Sequence, residues 1–227
     1  LNNFPYSFVT QKEIRKPEDL TGKKIGILAV GGATETATFL VLKAWNIARQ
    51  SVTIFPAGDS AARIVALSAR AIDATMLSYP DINEALRLGM HELVKMPDVK
   101  GTSFPMNVMV ARRSFVEKNR DTVKRFQQAY ADGTYQFMTS REKGLAVLSK
   151  RLRFKNPKGL EETYDYFARS FAMPTRVSQE GLRNTLEIIA QRNPAVKVDM
   201  NIGKYLDESI VDELEREGFF KRLLGKS

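Results

Sequence analysis

The sequence predicts an α/β protein in which a lobe of alternating strands and helices precedes a long helical segment. Over the first half, short apolar runs rich in β-branched residues, such as residues 23–30, alternate with stretches such as residues 34–45, where apolar residues recur at helical spacing. From Ser114 onward the helical spacing continues without further strand patterns. Strands that alternate with helices predict a parallel sheet with right-handed crossovers.

The predicted elements of the first half are bounded by turn residues. Residues 6–10 alternate apolar with polar side chains and predict the first strand, and Pro17 marks the turn that follows it. Gly58 closes a later strand, and Asp59 or Ser60 provides the N-cap of the next helix. The predicted strands are 6–10, 24–28, 52–55, 71–77, 92–96 and 106–112, and the predicted helices among them are 35–46, 61–68 and 81–88.

The second half of the chain is predicted to be helical. Its predicted helices are 115–119, 122–139, 141–152, 160–169, 179–193, 202–205 and 208–217. A helical segment of this length has no sheet of its own, so we expect it to need another surface to pack on.

The composition is that of a globular protein. Of its 227 residues, 43% are hydrophobic, which suffices for one large domain or two small ones with a substantial core. No apolar run reaches the roughly 18 residues that span a bilayer, and the first residues show no signal-peptide regions. Because the sequence begins at Leu1 without an initiator methionine, we expect it to be part of a longer protein.

Cysteine and histidine usage excludes several kinds of site from these residues. There is no cysteine, so disulfides, thiolate zinc sites and cysteine nucleophiles are excluded. His91 is the single histidine, and its position between a predicted helix and a predicted strand favours a surface or helix-end role. No serine and carboxylate are spaced to form a triad with it. We predict no catalytic residue, no metal and no cofactor.

The net charge of +9 is concentrated in the second half of the chain. Residues 11–104 carry a net charge of +2, and residues 105–227 carry +7. The densest basic stretch, residues 141–158, could contact phosphates or an acidic membrane surface. Apolar helical positions and Asn156-Pro157 interrupt this stretch, and Phe154 is its single aromatic residue. We therefore interpret it as a solvated helix face and expect no nucleic-acid partner.

The junction between the strand at 24–28 and the helix at 35–46 predicts a polar-group receptor. The N–H groups of the first helical turn have no intrahelical partners, and the positive end of the helix dipole lies beside them. Thr34 and Thr36 add hydroxyls there. In the alternative interpretation Thr34 is an N-cap, and Gly31 and Gly32 form an ordinary turn. The spacing matches neither a P-loop nor a dinucleotide-binding glycine motif, which disfavours nucleotide binding.

Three motifs carry a resemblance to a known family. They are Asp19-Leu-Thr-Gly-Lys-Lys-Ile-Gly, Ser60-Ala-Ala-Arg-Ile-Val-Ala-Leu followed by Ile72-Asp-Ala, and Val108-Met-Val-Ala-Arg-Arg-Ser-Phe-Val-Glu-Lys-Asn. In this order the chain, from about Ser7 to its end, resembles the periplasmic solute-binding proteins of ABC importers, and within them the nitrate/sulfonate/taurine type. The resemblance is specific for the superfamily and does not fix the ligand.

The resemblance implies a periplasmic-binding-protein-like fold of type II, with two α/β lobes joined by two crossing strands. On this basis residues 1–10 hold the first hinge-crossing strand, residues 11–104 form one complete ligand-binding lobe, and residues 105–227 hold the second crossing strand and the helical part of the other lobe. The sheet of that other lobe and an export signal would lie in a leading stretch. Without that stretch, the helical part is expected to leave apolar surface uncovered.

The family's ligand lies in the cleft between the lobes. Carried over by resemblance, the ligand-binding residues are Gly31, Gly32, Ala33, Thr34, Glu35, Thr36, Ser78, Tyr79 and Pro80, with Ser103 and Phe104 near the hinge. Open α/β sheets also bind ligands outside the carboxyl ends of their strands, which agrees with these positions. Tyr79 offers a flat apolar face and a hydroxyl to a small organic ligand, or else packs in the turn against Pro80.

The implied function is non-catalytic capture of a small solute and its delivery to an ABC permease in the membrane, in a periplasmic or other extracytoplasmic location. Two positions depart from the family pattern. Arg70 replaces the glycine of many relatives after a helix, where a left-handed conformation would be strained. Glu35 places a carboxylate beside the receptor and would repel an anionic ligand if it faced the cleft.

Two other functions share this architecture. One is a biosynthetic enzyme of the pyrimidine (thiamin-precursor) or menaquinone type, which a convergent acid/base pair or a histidine or cysteine constellation would favour. The other is the ligand-sensing domain of a transcription regulator, which a helix-turn-helix ahead of Leu1 would favour.

Overall fold

Two units make up the computed structural model of the protein, which describes residues 1–152 and 157–225. The first, here called the sheet unit, is Asn3–Ser103 and contains one five-stranded sheet. The second, here called the helical unit, comprises Leu1–Asn2 and Phe104–Ser227. The predicted α/β lobe followed by helices is confirmed, and the hinge roles of residues 1–10 and 105–112 stay predictions.

The sheet combines parallel and antiparallel pairing. Its strands are β1 (Ser7–Thr10), β2 (Lys24–Ile27), β3 (Thr53–Pro56), β4 (Ala74–Leu77) and β5 (His91–Lys95), in the spatial order β3-β2-β4-β1-β5. β2 is parallel to β3 and β4, whereas β1 lies between β4 and β5 and is antiparallel to both. The prediction of a parallel sheet is therefore wrong for β1, because alternation along a strand does not show in which direction it enters a sheet.

A helix follows each of the three parallel strands. They are α1 (Ala33–Ala44) after β2, α2 (Ser60–Ser68) after β3 and α3 (Asp81–Arg87) after β4. Asp59 caps α2 as predicted, since its Oδ1 accepts the Ala62 N–H at 2.9 Å. The interpretation of Thr34 as an N-cap is wrong, because Gly32 holds that position in extended backbone and Thr34 lies inside the first turn.

Arg70 adopts the left-handed conformation that the sequence flagged as strained, with φ of 56°. Its N–H donates to the Leu67 carbonyl at 3.0 Å and so ends α2. Its guanidinium meets the Glu13 carboxylate at 2.7 Å, with both side chains more than half exposed. Such an exposed ion pair contributes little, so the turn is held mainly by its backbone bonds and by the burial that follows it.

The core of the sheet unit lies between the sheet and its helices. One buried cluster unites β1 and β4 with α2 and α3, and it consists of Val9, Ile64, Leu67, Ile72, Leu77, Ile82 and Ala85. The partly buried Phe55 and Tyr79 pack against this cluster. The apolar positions of α2 and α3 thus fix the ends of β3 and β4, from which the candidate site is built.

Helices account for all regular elements in the described part of the helical unit. They are α4 (Arg113–Lys118), α5 (Arg120–Thr139), α6 (Arg141–Leu152), α7 (Pro157–Ser170), α8 (Gln179–Arg192), α9 (Ser209–Arg216) and α10 (Phe219–Leu223), with a 3-10 turn at Ile202–Lys204. The short α10 was not predicted. It begins after Gly218, which has φ of 72° and separates it from α9.

The predicted strand at 106–112 is wrong. These residues form no regular element, and Val108, Met109 and Val110 are exposed by 45%, 57% and 88%. A strand requires a neighbouring chain along its length to accept and donate its backbone hydrogen bonds. Beside this segment lies only the Leu1 carbonyl, which accepts the Met106 N–H at 3.1 Å and the Asn107 N–H at 3.5 Å, and no ladder forms with the described residues. The apolar side chains at positions 108–110 are therefore exposed, whereas the sequence predicted that they lie in a strand.

The helical unit is held by a small apolar cluster and by close packing between helices. Ala131 of α5 packs with residues of α9 and α10 in a cluster completed by Ile210, Val211, Leu214 and Phe220. Gly144 of α6 lies so close to Tyr164 of α7 that a Cβ built on it would stand 2.1 Å from the ring. The helices approach each other here because residue 144 has no side chain.

The basic stretch at 141–158 is partly neutralised by neighbouring acids. Arg141 pairs with Asp165 and, at 3.3 Å, with Glu161. Arg153, Phe154 and Lys155, on which the predicted basic face also rested, lie outside the described residues. None of the helices in the described ranges combines the length and hydrophobicity that crossing a bilayer requires.

Candidate functional site

The candidate site is the edge of the sheet unit where its parallel strands end. Since β2 pairs in parallel with β3 and β4, their carboxyl ends meet at this edge. The loops that follow them lead into α1, α2 and α3, so the starts of these helices gather there as well. Ligands of open α/β sheets bind at such an edge. We call it the strand-end edge.

The loop between β2 and α1 is held by two side chains from the first turn of α1. The Thr34 hydroxyl oxygen accepts the Leu28 N–H at 2.9 Å, and a Glu35 carboxylate oxygen accepts the Gly31 N–H at 2.8 Å. Gly31 has φ of 79°, a left-handed conformation that glycine adopts without strain. The first turn leaves the N–H groups of Ala33 and Thr34 without intrahelical acceptors. These groups could receive a polar or anionic group.

The position of Glu35 bears on the expected charge of the ligand. Its side chain is only 7% exposed, and its carboxylate is engaged within its own loop. A carboxylate at this end of a helix is stabilised by the dipole and offsets part of the positive potential there. Leu28 and Val30 of the same loop are exposed by 50% and 73%, so the loop offers apolar as well as polar surface.

Ser78, Tyr79 and Pro80 follow β4 and lie at the same edge as the β2–α1 loop. Ser78 is half-buried, Pro80 is exposed, and the bond between Tyr79 and Pro80 is cis. The Tyr79 ring packs against the core cluster of the sheet unit. The alternative that the sequence offered, packing of Tyr79 against Pro80 in the turn, stays a prediction.

Ser103 and Phe104 stand at the division between the two units. Ser103 ends the sheet unit and Phe104 opens this part of the helical unit. There the Phe104 N–H donates to the Asn2 carbonyl at 2.9 Å, and the Phe104 backbone closely approaches Gly181. Their participation in ligand binding stays a prediction, as it does for the other nine residues.

Arg63 was not predicted as a site residue, yet it is the charged group most deeply buried at the strand-end edge. It lies in the first turn of α2 and is 3% exposed. Its Nη1 donates to the Thr75 hydroxyl at 2.9 Å and to the Met76 carbonyl at 2.6 Å, and Nε donates to the Asp59 carbonyl at 3.3 Å. Thr75 in turn donates to the Gly26 carbonyl at 2.7 Å, so these bonds connect α2, β4 and β2.

The charge of Arg63 is poorly compensated. Within the sheet unit no carboxylate oxygen forms an ion pair with it, and its three acceptors are uncharged. Burial lowers the pKa of Arg63, while Tyr6, Asp81 and Asp59 oppose that shift. The sequence does hold a signal for this residue, since Arg63 is the single polar residue among the apolar residues 61–67.

Tyr6 lies beside this guanidinium. It precedes β1, which runs antiparallel to β4 with Ser7 opposite Leu77, so Tyr6 reaches the strand-end edge. Its ring stacks on Phe4 at 5.7 Å between centroids. Burial raises the pKa of Tyr6, against the influence of Arg63, so its hydroxyl remains a hydrogen-bond donor at neutral pH.

His91 and the acidic side chains do not form a metal site within the described ranges. His91 begins β5, and its Nδ1 lies 3.3 Å from Nη1 of Arg15. Burial and Arg15 lower the pKa of His91. Asp73 accepts the Lys24 N–H at 2.8 Å, which is a structural contact between neighbouring strands.

Solved structures with the same fold include several binding proteins. The periplasmic aliphatic sulphonate binding protein SsuA from Escherichia coli matches with a TM-score of 0.69 and 18% identity, over 88% of this chain and 65% of that one. The alkanesulfonate-binding protein SsuA from Xanthomonas axonopodis pv. citri, bound to MOPS, matches with a TM-score of 0.64 and 15% identity, over 88% and 68%. The desulfurization enzyme DszB also matches, with a TM-score of 0.59 and 13% identity, over 95% and 77%.

These matches define the fold as the type II periplasmic-binding-protein-like fold, as the sequence predicted. The model of the family described as NMT1/THI5 like matches residues 1–143, more than half of the chain, and the chain belongs to this family. The taurine-binding periplasmic protein of Escherichia coli K12 is 30% identical over 135 residues, which are 59% of this chain and 41% of that protein. The match thus spans about two fifths of that relative. Because the fold also supports an enzyme, it does not by itself decide the function.

Proposed function

We propose that the protein is the solute-binding component of an ABC importer. It captures a small molecule at the strand-end edge of the sheet unit and delivers it to a membrane permease. The names of relatives support this proposal, since they include a taurine-binding and two sulfonate-binding proteins. Two of these relatives are named periplasmic, which supports an extracytoplasmic location.

The observation that carries the proposal is the convergence of three helix starts at one end of three parallel strands. The N–H groups in the first turn of α1 and the buried cation of Arg63 lie at this edge, and Leu28 and Val30 add apolar surface. A few polar groups within an apolar surface suit a small organic molecule, which gains affinity from apolar burial and orientation from the polar contacts.

Capture is expected to depend on the closing of two lobes about the ligand. In proteins of this architecture a hinge motion encloses the ligand, and the closed form is the state that a partner can recognise. Burial on both sides of the ligand supplies the free energy that offsets its lost translational and rotational freedom.

The test is a thermal-shift screen of the protein as encoded, including any residues that precede Leu1. The panel contains taurine, ethanesulfonate, nitrate, bicarbonate, amino acids, pyrimidines and aromatic acids. A concentration-dependent rise in the unfolding midpoint with one class is expected, because a ligand that binds only the folded state stabilises it. A well-folded protein that responds to none of these compounds would contradict the proposal.

A pair of variants locates the site. Ala33→Phe places a bulky side chain in the first turn of α1 and is expected to abolish the midpoint shift whatever the charge of the ligand. Ala48→Phe is the matched control, because Ala48 is exposed and precedes β3 at the opposite edge of the sheet. Loss of the shift in both variants, or in neither, would place binding elsewhere.

A further inference from the structure

We propose that Arg63 receives an oxyanion group of the ligand, a carboxylate or a sulfonate, with the Tyr6 hydroxyl as a second donor. This inference rests on the proposed function, since it names the ligand class and two of its contacts. Neither residue was among the site residues that the sequence predicted.

The donor inventory of Arg63 leaves a vacant pair of N–H groups. A guanidinium carries five N–H donors. Nε and Nη1 use theirs on the carbonyls of Asp59 and Met76 and on the Thr75 hydroxyl, whereas Nη2 donates to none of the described residues of the sheet unit. Nη2 is also not among the buried polar atoms that lack a partner, so this end of the group keeps contact with solvent.

The buried charge of Arg63 also lacks a carboxylate partner among the described residues of the sheet unit. Arginine is rarely buried to this extent without a carboxylate partner, because removing a charge from water is costly. Asp59 and Asp81 act on the guanidinium from the starts of α2 and α3, but no ion pair forms with either. An anionic ligand group at Nη2 would supply the missing compensation and would form charge-assisted hydrogen bonds, the strongest class available to a protein.

The surroundings hold Arg63 in place before a ligand arrives. Its Nη1 is fixed to the Met76 carbonyl of β4 and its Nε to the carbonyl of Asp59, the cap of α2, so binding requires little ordering of the side chain. Tyr6 is held by stacking on Phe4, and its hydroxyl accepts or donates no bond within the described sheet unit. The Nη2 N–H groups of Arg63 and the Tyr6 hydroxyl are therefore available as hydrogen-bond donors. A group of donors beside a positive charge favours an anionic ligand.

A structural role alone would predict a different outcome. In that case Arg63 would only fasten α2 to β4, and its loss would lower stability without changing the preference among ligands. The test therefore compares ligands of equal size and different charge. The probes are propanesulfonate, butyrate, butanamide and butylamine, each titrated into the protein as encoded and measured by calorimetry.

The variants are Arg63→Met, which keeps the length and removes the charge, and Tyr6→Phe. We expect the wild type to prefer propanesulfonate or butyrate over butanamide, and the stronger of the two identifies the oxyanion. Arg63→Met is expected to lower the affinity for that anion by about 30-fold or more, because a charge-assisted hydrogen bond is lost. Its affinity for butanamide is expected to stay within about threefold of the wild-type value. Tyr6→Phe is expected to lower the affinity for the same anion by about fivefold. Arg70→Met, which removes an exposed arginine that follows the other end of α2, is the control and should bind like the wild type.

A measurement on the wild type keeps the proposal testable if Arg63→Met fails to fold. The guanidinium ¹⁵N signals of Arg63 are expected to shift on addition of the preferred anion and to stay unchanged with butylamine. An anion that binds equally well to Arg63→Met, or that leaves these signals unchanged, overturns the inference while solute binding stands. The same holds if only butanamide or butylamine binds. A wild type that binds neither these probes nor the wider panel contradicts the proposed function itself.

Discussion

At the scale of single residues, the strand-end edge is organised mainly by side chains that bond to the backbone. Glu35 accepts the Gly31 N–H, Thr34 accepts the Leu28 N–H, and Arg63 donates to the Met76 carbonyl. Each bond fixes a loop or helix start that sequence patterns place only approximately. The loops are therefore shaped before any ligand arrives.

Glu35→Ala tests the first of these bonds. The substitution removes the carboxylate that accepts the Gly31 N–H, together with a favourable charge in the first turn of α1, so we expect a loss of about 1–2 kcal/mol in the free energy of unfolding. Urea denaturation monitored by circular dichroism measures the change. Glu18→Ala, at an exposed position, is the control and should stay within about 0.5 kcal/mol of the wild type. Equal stability of the two variants would show that the Glu35 bond contributes nothing.

At the scale of elements, the helical unit depends on the absence of a side chain at one contact. Gly144 of α6 faces the ring of Tyr164 in α7, and the Tyr164 hydroxyl donates to the Met138 carbonyl at 3.4 Å. Tyr164 is 5% exposed and is packed against Phe137 with 5.3 Å between ring centroids. The ring thus has little room to withdraw from an added methyl group.

Gly144→Ala and Gly133→Ala are expected to change stability in opposite directions. The first inserts a Cβ that would stand 2.1 Å from Tyr164 and should destabilise by about 1–3 kcal/mol through overpacking. The second adds a methyl group to an exposed site of α5 with no atom within 4 Å, and should stabilise by up to about 1 kcal/mol through helix propensity. Thermal unfolding of both variants tests the pair. A stabilising Gly144→Ala would contradict the close approach of α6 and α7.

Helices α5 and α9 are also joined by charge. Glu213 of α9 accepts from Lys124 at 2.6 Å and from Arg120 at 2.7 Å, and these two cations lower the pKa of Glu213 from 4.5 to about 2. A carboxyl whose pKa is lower in the folded state stabilises that state once it is ionised. Its contribution is complete above the unfolded pKa of 4.5 and is lost as the pH falls through about 2.

Glu213→Gln is therefore expected to lower the unfolding midpoint at pH 7, and the difference from the wild type should shrink between pH 4.5 and pH 2. Midpoints measured along this pH range by differential scanning calorimetry test the prediction. Glu117→Gln, which changes an exposed carboxylate of α4, should show no such pH-dependent difference. A difference that persists unchanged at pH 2 would argue against the ion pairs as its source.

At the scale of the whole molecule, the lengths of the relatives bear on affinity. The chain covers 65% and 68% of the two sulfonate-binding structures that share its fold. If the ligand is enclosed by two lobes, contacts from both contribute to its binding free energy. We expect a gene product that includes residues ahead of Leu1 to bind the ligand found in the thermal-shift screen at least about tenfold more tightly than residues 1–227 alone.

Isothermal titration calorimetry of the two proteins, with the same ligand and buffer, measures this ratio. Circular dichroism of the shorter protein serves as the control for folding. Equal affinities would mean that the described units hold the complete binding site, and the two-lobed model of capture would be wrong.

The sequence by itself determined the order and type of most elements. Periodicity and turn residues located β2, β3, α2 and α5 to within a few residues, and the side chain of Asp59 marked the start of α2, because these signals are local. Three motifs carried the resemblance to a known family, and the family model that matches residues 1–143 supports that resemblance. The tertiary structure alone decided the direction of β1, the absence of a strand at 106–112 and the burial of Arg63. Each depends on which distant segment lies alongside: a strand exists only with a partner, and an arginine becomes an unpaired buried charge only when folding brings β4 over it.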